Sequence, residues 1–162
     1  MVEGFFPVYS PVVEVFPALT LVNKATDTCY MSSVFDNSVI QAADVRLMFR
    51  GNVVGTPVVG ATFDIYLATG HTTGSNVLTD TYSTTTPAGN SVSAPRYSRH
   101  LVSLQVPNES SAYFSWEASL LEYIGAMPLI WSIILCNRTG VPTSGYTQYN
   151  TFTAGFVNYG YA

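Results

Sequence analysis

The stretch Ala126-Met-Pro-Leu-Ile-Trp-Ser-Ile-Ile-Leu-Cys136, with the aromatic segment at residues 146–161 that follows it, is the most apolar part of this 162-residue chain. Successive side chains of a strand point to opposite faces. One face of a strand here would be apolar throughout: Leu129, Trp131, Ile133 and Leu135. The other face is interrupted only by Ser132 and otherwise holds Ile130, Ile134 and Cys136. The pattern predicts a strand that is covered on both faces, as in the middle of a sandwich.

Two further segments alternate cleanly between apolar and polar residues. In residues 43–50 the side chains of Val45, Leu47 and Phe49 are predicted to point inward, with Asp44, Arg46, Met48 and Arg50 pointing outward. In residues 61–68 the inward side chains are Phe63, Ile65 and Leu67, and the outward ones include Asp64 and Tyr66. A longer loop joins these two strands, which are candidates for antiparallel neighbours. The predicted core combines the positions that carry the alternation: Leu47, Phe49, Phe63, Ile65, Leu67, Trp131, Ile133 and Phe156.

Weaker strand signals fill most of the remaining chain. They cover residues 12–16, 19–22, 29–34, 76–84, 97–106 and 111–119. The only helical window, residues 116–124, is too short and uncapped to outweigh the strands beside it. About eight or nine short strands between Gly and Pro turns predict an all-β antiparallel sandwich. A single jelly roll is the first choice and an immunoglobulin-like Greek key the second.

The N-terminal segment is predicted to differ from the rest. Pro7, Pro11 and Pro17 cannot donate to a strand ladder, so residues 1–18 are interpreted as an extended arm or an edge strand. Residues 19–162 are predicted to form the sandwich domain. Because the arm is apolar and the chain has few charges, we expect the arm to lie on a neighbouring subunit.

Composition limits the function. Only 10% of residues are charged and the net charge is −4, which argues against direct binding to nucleic acid. No apolar run reaches the roughly 20 residues of a membrane span, and the N-terminus lacks an export signal. The two cysteines, Cys29 and Cys136, could form a disulfide if their strands are adjacent, but spacing does not decide this, and two buried free thiols are the favoured interpretation.

Catalytic patterns are weak. A Ser-His-Asp set can be assembled from His71 or His100 with Asp64 or Asp80, but no Gly-x-Ser-x-Gly elbow supports it. Neither histidine has neighbours at metal-ligand spacing. We therefore predict no enzyme activity, no metal and no cofactor.

Two groups are candidates for binding. Arg96, Arg99 and His100 could hold an anion or a carboxylate of another subunit, because guanidinium makes paired hydrogen bonds to planar anions. An aromatic interface is predicted from four tyrosines: Tyr146, Tyr149, Tyr159 and Tyr161. The sequons at Asn108 and Asn137 are interpreted as turns.

The order of strands, the Pro-rich arm and the Thr-rich loops resemble the single jelly-roll coat proteins of viral capsids. The resemblance rests on residues 43–50, 61–68, 101–106, 112–118, 129–136 and 151–159. It implies a virion protein that assembles with copies of itself and with other capsid proteins through strand edges, loops and an arm. The absence of a basic arm puts genome contact in doubt. The alternative is a sandwich head that binds a host receptor or glycan, as on a fibre or a trimeric ligand.

Overall fold

A computed structural model describes residues 5–16, 21–70, 91–92, 98–146, 148 and 150–161 of the chain. The strands are β1 (Phe5–Tyr9), β2 (Val13–Glu14), β3 (Thr28–Met31), β4 (Phe35–Asp36), β5 (Asp44–Asn52), β6 (Thr62–Gly70), β7 (Ser91–Val92), β8 (Arg99–Gln105), β9 (Tyr113–Ser119), β10 (Ile130–Arg138) and β11 (Thr151–Tyr161). Two short helices are α1 (Asn37–Ile40) and α2 (Leu120–Ile124). The strand-like segment at residues 76–84 lies outside the described residues.

The strands form two antiparallel sheets. The first has the order β1-β11-β5-β9, with β2 also on β11, and the second has the order β7-β3-β10-β6-β8, with β4 on β10. Apart from the two-residue strands β2, β4 and β7, eight strands remain in the described part of the chain. Among these eight, β1 pairs with β11, β3 with β10, β5 with β9 and β6 with β8, so the first strand pairs with the last and each further pair lies inside the previous one. This nested pairing is that of a jelly roll, which confirms the predicted fold class.

The core lies between the two sheets, and all eight predicted core residues are buried in it. Phe49 is at its centre, with its ring centroid 5.5 Å from that of Phe63 and 5.3 Å from that of Phe152. Trp131 is fully buried and stacks on Phe35, with 4.4 Å between ring centroids. The inward and outward positions predicted for β5 and β6 follow the observed burial, except for Asp44.

Replacement of Trp131 by alanine should lower the free energy of unfolding by roughly 3–5 kcal/mol, because it removes a large buried aromatic side chain. The indole N–H has no hydrogen-bond partner among the described residues. Trp131→Phe should therefore cost markedly less, since it keeps a ring against Phe35 and removes the unsatisfied donor. Urea denaturation of the three proteins tests this. Equal losses for the two variants would show that the stack contributes little.

The strand β10 is covered on both faces, as predicted. Trp131 faces the main core, while Ile134 and Cys136 belong to a second buried apolar cluster on the opposite face with Met31 and Cys29. The expectation of two free thiols was wrong. Cys29 and Cys136 are register partners on β3 and β10, and their sulfur atoms are bonded at 2.01 Å. The pairing of β3 with β10 brings the two cysteines together, and sequence spacing does not reveal that pairing.

The expected pairing of β5 with β6 was also wrong, because β5 lies in the first sheet and β6 in the second. The loop between them crosses from one sheet to the other. Leu21 and Val22, predicted at the end of a strand, lie in a turn. Both errors lie at turns rich in Gly, Asn and Asp, where the path of the chain after the turn was predicted incorrectly.

A one-turn helix, α2, follows β9 where only strands were expected. The Ser119 hydroxyl accepts a hydrogen bond from the Glu122 N–H, and Gly125 ends the helix with a left-handed backbone, φ 77°. Asp44, predicted to point outward, is buried, and its carboxylate accepts hydrogen bonds from the Ser119 hydroxyl at 2.8 Å and from the Leu121 N–H at 3.0 Å. These caps were not recognised in the sequence.

The described part of the N-terminal segment lies along β11 of its own sheet. The backbone N–H of Ser10 donates to the Phe156 carbonyl at 2.9 Å, and that of Val15 donates to the Phe152 carbonyl at 2.7 Å. Val15 and Phe16 are buried in the main core. The structure thus places these residues on the chain's own sheet rather than on the expected neighbour.

Candidate interaction surface

Four connections meet at one end of the sandwich, here called the loop end: residues 21–27, 53–61, 106–112 and 139–146. They are joined to one another by backbone hydrogen bonds. The Val54 N–H donates to the Pro142 carbonyl at 2.9 Å, and the Val58 N–H donates to the Thr139 carbonyl at 3.0 Å. A bond of 3.1 Å from the Ser111 N–H links the third loop to the second. The loop end is therefore a single hydrogen-bonded unit and not a set of independent loops.

A network of buried polar side chains supports the loop end. Asn150 accepts a hydrogen bond from the Asn52 N–H at 3.0 Å and donates to the Ser144 hydroxyl at 2.8 Å. The Thr143 hydroxyl donates to the Leu21 carbonyl at 2.6 Å. Satisfied buried networks of this kind hold the backbone in one conformation. The surface above it is consequently preorganised.

Asn137 belongs to the same support and is not a turn. It is buried at the end of β10, where its side-chain oxygen accepts a hydrogen bond from the Thr139 hydroxyl at 2.7 Å. Its amide nitrogen donates to the carbonyls of Lys24 and Val141. The side chain is therefore inaccessible to glycosylation in the folded protein. By contrast, Asn108 is exposed in the connection between β8 and β9.

The loop end presents apolar side chains to solvent. Val54, Val58 and Val59 are 50%, 55% and 87% exposed, and residues 53–61 contain no charged residue. Gly140 fits closely under Val58, since a Cβ at this glycine would lie 2.6 Å from the Val58 Cγ1 atom. Clustered exposed apolar groups, here on a loop without charged residues, are typical of interaction sites. The sequence signal was the presence of valines between the turn residues Gly55, Pro57 and Gly60, where polar side chains are usual.

The predicted tyrosines do not form one patch among the described residues. Tyr146 is 66% exposed at the loop end, and Tyr159 is 58% exposed near the other end of β11. With a rise of about 3.3 Å per residue, the eight residue-to-residue steps from Thr151 to Tyr159 already span roughly 26 Å. The side chains of Tyr149 and Tyr161 lie outside the described set.

Arg99 and His100 do not share a site either. Arg99 donates to the Tyr123 carbonyl at 2.5 Å, whereas the His100 Nε2 atom is 3.0 Å from the Ser103 hydroxyl. Their partners on β6 are Leu67 and Tyr66, which face opposite sides of the sheet. Arg96, the third member of the predicted group, and His71 lie outside the described residues.

The outer side of the second sheet carries a charge cluster around Arg138. Its guanidinium lies 3.6 Å from an Asp27 carboxylate oxygen and 4.0 Å from one of Asp64. Burial raises the pKa of the nearby Tyr66 hydroxyl, and the charge of Asp64 raises it further, while Arg138 opposes both. Tyr66 is therefore protonated at neutral pH. Arg138 thus pairs with the carboxylates of both Asp27 and Asp64.

Within the described part of the chain, no three His, Cys, Asp or Glu side chains are placed to hold a metal ion together. None of the helices in that part has the length and apolar character needed to cross a membrane. No protein-family model, curated protein or solved structure matches this chain.

Proposed function

We propose that this protein is a structural virion subunit, a single jelly-roll capsid or capsid-surface protein that assembles with copies of itself. The main support for the proposal is the loop end, where exposed valines lie above a preorganised network of buried polar side chains. Interface cores are depleted of charge and enriched in apolar groups, and preorganisation reduces the entropy lost on association. The low charge of the whole chain agrees with a surface that is partly occupied by neighbours.

Two strand edges offer further contact surfaces. β9 ends the first sheet and β8 ends the second, so each has backbone groups without a strand partner on one side within the described residues. Such edges pair readily with other chains unless they are protected. Edges and the loop end together are the surfaces that a closed shell would use. The proposal includes other capsid proteins as partners at the same surfaces. With only six basic residues and a net charge of −4, the chain is not proposed to bind a genome.

Assembly should depend on the loop end. The double variant Val58→Asp with Val59→Asp is expected to raise the concentration needed for assembly on the order of tenfold or more, because a charge would be desolvated in each contact. Light scattering, sedimentation and negative-stain microscopy would measure particle size. The matched control is Val39→Asp, since Val39 is 79% exposed on α1, away from the loop end.

Circular dichroism should show the same fold for both variants, because the replaced side chains are exposed. A wild-type protein that stays monomeric at high concentration over a range of salt and pH would contradict the proposal. Equal assembly by the double variant and the wild type would show that the loop end is not the contact surface.

A further inference from the structure

A shallow concavity of about 420 Å³ lies at the end of the first sheet, next to the loop end. Its lining is formed by Arg50, Gly51, Tyr113, Phe114, Ser115 and Gln148. The volume falls within the range of small-molecule sites, which is about 300–1,000 Å³. None of these residues was singled out for binding by the sequence patterns.

Arg50 is the only cation in this lining, and its guanidinium makes no ion pair or hydrogen bond with any described residue. The nearest outward cation on the same strand, Arg46, differs because its Nε atom lies 3.7 Å from an Asp44 carboxylate oxygen. Glu117, diagonal to Arg50 across β5 and β9, forms no ion pair with it. Arg50 therefore presents a set of donors that no other described residue uses.

The sheet register places hydroxyl groups on both sides of Arg50. Its partner on β11 is Thr151 and its partner on β9 is Ser115, and these three residues share the outer face. Tyr113, two residues before Ser115, lies on the same face and is 59% exposed. The concavity thus combines the Arg50 guanidinium, the Ser115 hydroxyl, the Tyr113 ring and the exposed side chain of Gln148, and Thr151 lies beside Arg50 on the neighbouring strand.

We infer that this concavity binds a carboxylate-bearing sugar, which goes beyond the proposed assembly function and does not depend on it. Guanidinium holds a planar carboxylate through two parallel hydrogen bonds. Tyrosine provides a flat apolar face for the C–H groups of a sugar ring, and hydroxyl and amide groups pair with its hydroxyls. A phosphate fits less well, because the lining has one cation and no helix N-terminus to share a second negative charge.

The probes are methyl α-N-acetylneuraminate and methyl glucuronide, with methyl glucoside as the neutral control and sulfate as a competing anion. In two-dimensional NMR titrations, the acidic sugars should shift the amide signals of Gly51 and Ser115 and leave those of Arg99 and His100 unchanged. The neutral sugar should produce no saturable shift. Sulfate should compete only weakly.

Arg50→Gln should weaken binding of the acidic sugars on the order of tenfold or more, since charge-assisted hydrogen bonds are lost. Arg46→Gln is the matched control on the same strand and should leave affinity unchanged. Particle size measured on Arg50→Gln should equal that of the wild type, which separates this site from the assembly surface.

Several results would overturn the inference. Absence of saturable shifts with both acidic sugars would show that the concavity does not bind them. Equal shifts with methyl glucoside would show that the carboxylate does not contribute to binding. Full competition by sulfate would identify a general anion site instead of a sugar site. Binding that survives Arg50→Gln, or shifts confined to residues outside the concavity, would place the ligand elsewhere.

Discussion

Deletion of residues 1–16 is expected to lower the free energy of unfolding by about 3–6 kcal/mol from the loss of two buried side chains alone. Val15 is fully buried and Phe16 is 2% exposed, with its ring 5.8 Å from that of Phe152. The deletion also removes β1 and β2 and leaves the outer edge of β11 unpaired. Since small domains have a total stability of about 5–15 kcal/mol, a large fraction of the truncated protein should be unfolded at moderate temperature.

Urea denaturation followed by tryptophan fluorescence and circular dichroism would measure the loss. Two point variants locate its source: Phe16→Ala should account for much of it, and Val12→Ala should have almost no effect, because Val12 is 64% exposed. A truncated protein with the wild-type denaturation midpoint would mean that these residues do not pack on their own domain in solution. That result would support the sequence-based expectation of an arm that binds a neighbour.

Loss of the disulfide should be the other large effect. Cys29 and Cys136 are separated by 107 residues, and cross-linking a loop of that size restricts the unfolded chain by about 4–5 kcal/mol in the chain-entropy model. The wild type treated with a reductant should therefore unfold at a clearly lower urea concentration than the oxidised wild type.

The control is the double variant Cys29→Ala with Cys136→Ala, whose stability should not respond to the reductant. The loss of stability on reduction of the wild type should be smaller than the chain-entropy value if the reduced unfolded chain retains structure. Identical midpoints for oxidised and reduced wild type, with free thiols confirmed by a thiol reagent, would contradict the prediction. Persistent disulfides occur mainly in oxidising environments and are rare in the cytosol, so the bond is expected to be stable only where the surroundings are oxidising.

Local patterns in the sequence predicted the inward faces of the central strands β5, β6 and β10. Val45, Leu47 and Phe49 follow one another at a period of two, and this period alone determines which side of a strand enters the core. The same holds for Trp131 and Ile133 on β10. These predictions required no knowledge of which strands are neighbours.

The pairing of strands with one another could not be predicted from such local patterns. The pairing of β3 with β10 joins distant parts of the chain, and neither segment carries a signal for the other, so the disulfide was missed. The concavity at Arg50 depends on three neighbouring strands for the same reason. Alternation assigned Arg50 to the outer face, but only the register brings Thr151 and Ser115 beside it.

The nested pairing of strands also constrains how the protein is made. Ser10 bonds to Phe156, which is 146 residues later in the chain, and a ribosome adding about 5–20 residues per second needs roughly 7–30 s to cover that distance. During this time Val15 and Phe16 have no β11 to cover them, so the nascent chain carries an exposed apolar segment. Synthesis in cells should therefore be sensitive to holdase chaperones and to slow translation before β11, even though the finished domain buries both residues completely or nearly so.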